Sequence, residues 1–186
     1  MNPATQIVKK TALAVVSGPT TTVEDQSQYL TFMLDKEMFA IGILAIKEII
    51  EYHNLTAVPM MPDWIRGVIN LRGAVVPVLD LAVRFGKRSC PVTKRTCIVI
   101  AEVGATGQRQ VVGVIVDAVN QVLSIAAHEI EPPPAFGTKI RTDFIHGMGK
   151  VDERFVILLD VDHVLSIDDL GPFVDELEVE GPLGEP

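Results

Sequence analysis

One pattern occurs twice along this chain. Ile65-x-Gly67-Val68 leads, thirteen residues after its glycine, to Asp80-Leu81, with the apolar run Val75–Leu79 in between. Ile145-x-Gly147-Met148 leads at the same interval to Asp160-Val161, behind Phe155–Leu159. Upstream, Ile41-Gly42-Ile43-Leu44 matches Val112-Gly113-Val114-Ile115. Gly42 to Gly67 spans 25 residues and Gly113 to Gly147 spans 34, and the nine-residue excess falls in the loop carrying Pro132-Pro133-Pro134, where an insertion disturbs little. Two similar units follow from this, and Gly42, Gly67, Gly73, Gly113 and Gly147 are read as turn or structural positions within them.

Within each unit the apolar residues recur at period two between turn residues, which argues for short strands. Gln28–Leu34 places Leu30, Phe32 and Leu34 on one face, Asp35-Lys36-Glu37 turns the chain, and Met38–Ile41 returns it. Ile46–Glu51 alternates as a half-buried strand, and Pro62-Asp63-Trp64 reads as one helical turn opened by proline. Gly67–Arg72 and Ala74–Leu81 form a hairpin, with Pro77 predicting an edge or an irregularity. In the second unit Arg95–Val103 and Gln108–Val116 flank the turn Gly104–Gly107, Val119–Ile125 is a further strand, and His146–Val151 and Arg154–Leu159 flank Asp152-Glu153. Asp160 caps a short closing helix. The expected fold is all-β, about five strands per unit. So short a sheet leaves costly edges unless it curls, so each unit is expected to be a small barrel. The expected boundaries are a tail at 1–26, a domain at 27–170 with barrels over 28–86 and 95–166 joined by a linker at 87–94, and an acidic tail at 171–186.

Composition narrows the function. With 186 residues and a net charge of −8, the chain repels phosphate backbones and anionic membranes, so neither a nucleic-acid nor a membrane-surface partner is expected. Lys9-Lys10 before Leu13–Val16 resembles a secretory signal, but the apolar run is too short for one, and a cytoplasmic location is expected. Cys90 and Cys97 do not form a CxxC pair and read as reduced thiols. No phosphate-cradling loop, nucleophile elbow or metal-ligand spacing occurs. The nearest approach to a cation site, Asp160-x-Asp162-His163, lacks enough oxygen donors and is better read as a helix cap. The chain therefore reads as a non-enzymatic binding module with no cofactor and no metal.

A docking surface is suggested by Asn70-Leu71-Arg72-Gly73, a turn that carries a guanidinium, the fork of donors favoured at protein interfaces. Glu48 is the charged member of its strand face, between Ile46 and Ile50, and pairs with Arg72 if the two strands are neighbours. The plainer alternatives are a solvated turn residue and an ordinary edge charge. Trp64 reads as core and Cys97 as a small apolar strand residue.

Gly67-Val68-Ile69-Asn70-Leu71-Arg72-Gly73, Val76-Pro77-Val78 and Asp80-Leu81 together resemble the signature of the CheW family of bacterial chemotaxis coupling proteins. Phe39-Ala40-Ile41, Ile46–Ile49, Val112–Asp117, Leu123-Ser124-Ile125 and Gly147-Met148-Gly149 are similar too, so the resemblance runs from about Gln28 to Ser166. It implies two five-stranded SH3-like barrels and an adaptor linking the cytoplasmic tips of methyl-accepting chemoreceptors to the histidine kinase CheA. It implies receptor contact along a groove between the barrels, carried over to Ile46, Glu48, Asn70, Arg72, Cys97 and Ile98. Cys97 departs from the aliphatic residue usual there. Two other readings remain: a coupling protein of a related pathway for pilus motility or gene control, and a small-molecule-binding barrel.

Overall fold

The structure is a computed structural model that describes residues 25–104, 108–135 and 140–167. The two tails expected from the sequence lie almost wholly outside these residues, as does most of the Gly104–Gly107 turn.

The strands are β1 (Gln26–Leu34), β2 (Glu37–Gly42), β3 (Ile46–Glu51), β4 (Ile65–Leu71), β5 (Ala74–Asp80), β6 (Cys97–Val103), β7 (Gln110–Val116), β8 (Ala118–Ala126), β9 (Ile130–Glu131), β10 (Ile145–Val151) and β11 (Arg154–Leu159). Two short helices, α1 (Leu81–Arg84) and α2 (Val161–Val164), follow β5 and β11. Each is capped by the aspartate before it: Asp80 accepts from the Val83 amide, and Asp160 from those of Asp162 and His163. Three hairpins turn on two residues of positive φ, as type I′ turns require: Asp35-Lys36, Arg72-Gly73 and Asp152-Glu153. The helical turn read at Pro62–Trp64 is instead a hydrogen-bonded turn, with the Ile65 amide donating to the Pro62 carbonyl at 2.9 Å.

The strands form two sheets, in the orders β8-β1-β2-β11-β10-β9 and β3-β6-β7-β5-β4. Each closes on itself by the same device. After β3 the chain runs on to Thr56, which exchanges hydrogen bonds with Val68 of β4 at 2.8 and 3.0 Å. After β8 a single 3-10 turn, Ala127–Glu129, delivers β9 against β10. Counting β8 and β9 as one bent strand, both barrels have five strands.

The barrels are not consecutive halves of the chain, which corrects the expected division into 28–86 and 95–166. The first hairpin of each repeat belongs to the other repeat's barrel. β1 pairs with β8 and β2 with β11, while β6 pairs with β3 and β7 with β5. The repeat alignment also shifts by two residues. Val78 of β5 faces Gly113, and its counterpart Leu158 of β11 faces Ala40, so Gly113 matches Ala40 rather than Gly42. β4 and β10 confirm the repeat, sharing one alternation of buried and exposed positions along all seven residues. Pro77 lies in a central strand, one residue before β5 begins to pair with β7, so one side of the strand is still open there.

The exchange explains the core. Tyr29, Ala40, Ile125, Val156 and Leu158 fill the barrel of β8-β1-β2-β11-β10-β9. Ile69, Val76, Val78, Ile98 and Ile100 fill the other. The largest cluster lies between them, with Leu30, Phe32, Phe39 and Ile41 from one exchanged hairpin and Val99, Ala101, Val112, Val114 and Val116 from the other. β1, β2, β6 and β7 are therefore buried on both faces, and at roughly 1.5–3 kcal/mol per large buried side chain this shared layer unites the barrels in one body. The Arg84 guanidinium adds a polar clamp. It lies 4.0 Å over the Trp64 ring, 5.2 Å from the Phe144 ring and donates to the Ser166 carbonyl at 3.2 Å.

Two glycines are set by close approach. A Cβ on Gly67 would stand 2.4 Å from the Thr56 carbonyl oxygen, and one on Gly147 would stand 2.5 Å from the Ile130 side chain. Both sit where the closing segment crosses. Gly113 faces Ile98 and Val78, which a Cβ would meet at 2.9 and 3.2 Å, whereas one on Gly42 would meet open space. Gly42 is thus not the structural position its motif suggested.

Candidate docking site

Arg72 and Glu48 are brought together, although β3 and β4 stand at opposite ends of their sheet. Barrel closure makes those ends neighbours. The Arg72 guanidinium grips the carboxylate with both arms, Nη1 donating to Oε1 at 2.7 Å and Nη2 to Oε2 at 2.9 Å. The turn holds the arginine in place: its φ is +53° and that of Gly73 is +89°, and the Gly73 amide donates to Asn70 Oδ1 at 2.9 Å. Asn70 therefore shapes the turn. Glu48 is held from below, on a half-buried strand whose register sets it opposite Ile100. The Arg72 side chain remains 77% exposed against 24% for Glu48, so the guanidinium is oriented yet open to a partner.

The other sequence-derived residues divide. Ile46 lies two residues from Glu48 along β3, half-buried on the layer between the barrels. Cys97 borders the same layer, but it pairs with Glu51, three residues along β6 from Ile100, or about 10 Å at the rise of a strand. Its thiol donates to the Arg95 carbonyl at 3.3 Å. Ile98 is fully buried inside the barrel, which corrects its reading as a contact residue: adjacent strand residues point to opposite faces, and Ile98 takes the inner one.

The structure adds residues the motif did not single out. Val75, just past the turn, and Ile49, beside Glu48, are exposed apolar side chains, and Leu44 is wholly exposed. Lys47 of β3 and Arg109, just before β7, flank Glu102 of β6 at 3.4 and 3.6 Å, a second group of charges. Strand alternation could have flagged Val75, because its neighbour Val76 is buried.

At the junction of the barrels, Lys87 reaches Glu37 at 2.6 Å and Asp35 at 3.5 Å. Burial works against its charge, but the hydrogen bonds and charges of Glu37 and Asp35 prevail and hold the ammonium's pKa above the usual lysine value. Burial, and then the neighbouring Asp117 carboxylate, push the Cys90 thiol up, away from the reactive thiolate. Among the described residues, no three histidine, cysteine or acidic side chains are grouped to hold a metal ion. No described helix is long and apolar enough to cross a membrane.

The molecule is two fused SH3-like barrels, with an oriented, exposed guanidinium presented at the turn between β4 and β5. The family model for the CheW-like domain matches residues 28–169, and the chain belongs to that family. It is 36% identical over 143 residues to the chemotaxis protein CheW of Klebsiella aerogenes, covering 77% of this chain and 84% of that one. It is 33% identical over 149 residues to the chemotaxis protein CheW of Bacillus subtilis, covering 79% and 92%. The crystal structure of the scaffolding protein TtCheW from Thermoanaerobacter tengcongensis superposes with a TM-score of 0.68 at 34% identity, over 77% of this chain and 90% of that one.

Proposed function

We propose that this chain is a cytoplasmic, non-enzymatic adaptor that couples chemoreceptor tips to the histidine kinase CheA, and that the face around Arg72 and Glu48 docks the receptor. The single observation that carries the site is an asymmetry between matching barrels. The place of Glu48 is taken in the other barrel by Gln121, whose backbone carbonyl accepts from the Thr31 hydroxyl at 2.8 Å and whose backbone amide donates to it at 3.2 Å, and the place of Arg72 by Asp152. At these matching positions a glutamine and an aspartate stand where the first barrel has its ion pair. The Arg72–Glu48 bridge is therefore not required by the fold, and an oriented, exposed guanidinium is suited to a partner's acceptors.

The mechanism is positional. The core shared between the barrels ties receptor-facing and kinase-facing surfaces into one body, so a change in receptor geometry reaches the kinase as a displacement of the whole adaptor. Weak separate contacts are reinforced when both partners are held in one array. Sedimentation of receptor signalling fragments with CheA and this protein tests the reading. CheA is expected to pellet only when the adaptor is present, and to stay in the supernatant with Arg72→Ala. Adaptor-independent pelleting refutes the coupling role, and pelleting that survives Arg72→Ala refutes the site.

A further inference from the structure

The reciprocal hairpin exchange means that neither repeat contains a complete barrel of its own. Four of the nine strand pairings join one repeat to the other. Without them, residues 25–86 hold two separate hairpins, β1–β2 and β4–β5, with β3 tied to the second only by the Thr56–Val68 bridge and the Arg72–Glu48 pair, because the sheet partner of β3 is β6. Residues 97–167 hold the hairpin β6–β7 and the small sheet β9–β10–β11, with β8 joined to it only through the bend into β9, because the sheet partner of β8 itself is β1. Isolated hairpins are marginal in water. The layer between the barrels would also be split, since each repeat supplies one of its two central hairpins.

The covalent join between the repeats is, by contrast, lightly held. Arg88, Ser89, Pro91, Val92, Thr93, Lys94 and Arg95 are all exposed. The join is anchored by Lys87 on Glu37, Ser89 on Asp80 and the half-buried Cys90 beside Asp117 in its first half, and by Thr93 and Thr96 on each other at the finish.

We infer that the two repeats are obligate folding partners, related as the subunits of a heterodimer, and that the linker only supplies their local concentration. Folding is then an association of the two repeats, and the Glu48 strand depends on β6 of the second repeat for its place. The linker is consequently a segment that can be cut, lengthened or loaded with an insertion without loss of the native body.

The test uses the full chain with a specific protease site placed across Val92–Lys94, its uncut far-ultraviolet spectrum first matched to the wild type. After cleavage the two pieces are expected to co-elute as one species with an unchanged spectrum. The midpoint of thermal unfolding is expected to fall on about tenfold dilution, whereas that of the uncut chain does not move, because effective concentration has been replaced by real concentration. Refolding of the cut protein is expected to be second order in protein. Separation of the pieces on cleavage overturns the inference, as does either piece, parted in denaturant and returned to buffer alone, regaining a cooperative unfolding transition. A concentration-independent midpoint after cleavage also overturns it.

Discussion

Replacing Arg72 by alanine separates a fold-supporting bridge from a docking contact, because the structure assigns very different magnitudes to the two. The guanidinium is 77% exposed, so its bridge to Glu48 is screened by water. Exposed pairs contribute about 0.2–1 kcal/mol, and good two-armed geometry places this one toward the upper end. For a domain of this size, a loss of that order lowers the melting temperature by no more than about 2–4 °C. An oriented arginine buried on binding is worth more, roughly 2–4 kcal/mol on truncation at the centre of an interface. That corresponds to about a 30- to 1,000-fold loss of receptor affinity at 1.4 kcal/mol per factor of ten. Calorimetric titration of a receptor signalling fragment into wild type, Arg72→Ala, Glu48→Ala and the double variant supplies the cycle, with thermal melts of the same four proteins alongside. Coupling between the two sites is expected to be large in binding and small in stability. Arg72→Lys, which keeps the charge and loses the fork, is expected to behave like the alanine variant in binding. Affinity loss no greater than the stability loss, or additive effects on binding, would refute the reasoning.

Three further outcomes follow from the packing and the charges. Gly67→Ala drives a methyl group into the Thr56 carbonyl and is expected to cost about 3 kcal/mol or more, whereas Gly42→Ala, facing open space, stays within about 0.5 kcal/mol; urea unfolding distinguishes them. Ile98→Ala is expected to cost about 2–5 kcal/mol in stability, with the receptor affinity of the folded fraction unchanged, measured well below its melting temperature. The folded pKa of Lys87 is raised, so the stability its bridges provide is complete at neutral pH and is lost as pH climbs through that raised value, above 10.5. Lys87→Met is therefore expected to be less stable than wild type at neutral pH, and the gap to close in strongly alkaline buffer, followed by denaturant midpoints.

Much of the architecture was legible locally. Turn residues between alternating runs announced the hairpins at Asp35-Lys36-Glu37, Asn70–Gly73 and Asp152-Glu153, and the structure narrows each turn to two consecutive residues of positive φ. Asp160 announced a helix cap, whereas its counterpart at Asp80 was missed, because the strand expected over Ala74–Leu81 runs through Asp80 and into the first residue of α1. The repeat was legible in Ile65–Leu81 and Ile145–Val161, where closing segments cross so near that glycine is required. Its alignment at Gly42 and Gly113 slipped by two residues, and period-two alternation is blind to an even slip, since every side chain keeps its face. The misplacement of Ile98 has the opposite origin: an odd step along a strand exchanges core for groove.

By itself, then, the sequence determined the strands other than β9, most of the turns between them, the twofold internal repeat and the family, since these depend on neighbouring residues or on recurrence. The pairing of Arg72 with Glu48 was a conditional inference, resting on strands 24 residues apart becoming neighbours. Which hairpin completes which barrel was settled only in three dimensions. A strand's alternation records which faces are buried and not which strand lies beside it, and backbone hydrogen bonds are indifferent to sequence. One trace was present. Cys97–Ala101 and Val111–Val116 are apolar at consecutive positions, as strands buried on both faces must be, and they are the strands that pass into the neighbouring barrel and make the two repeats one body.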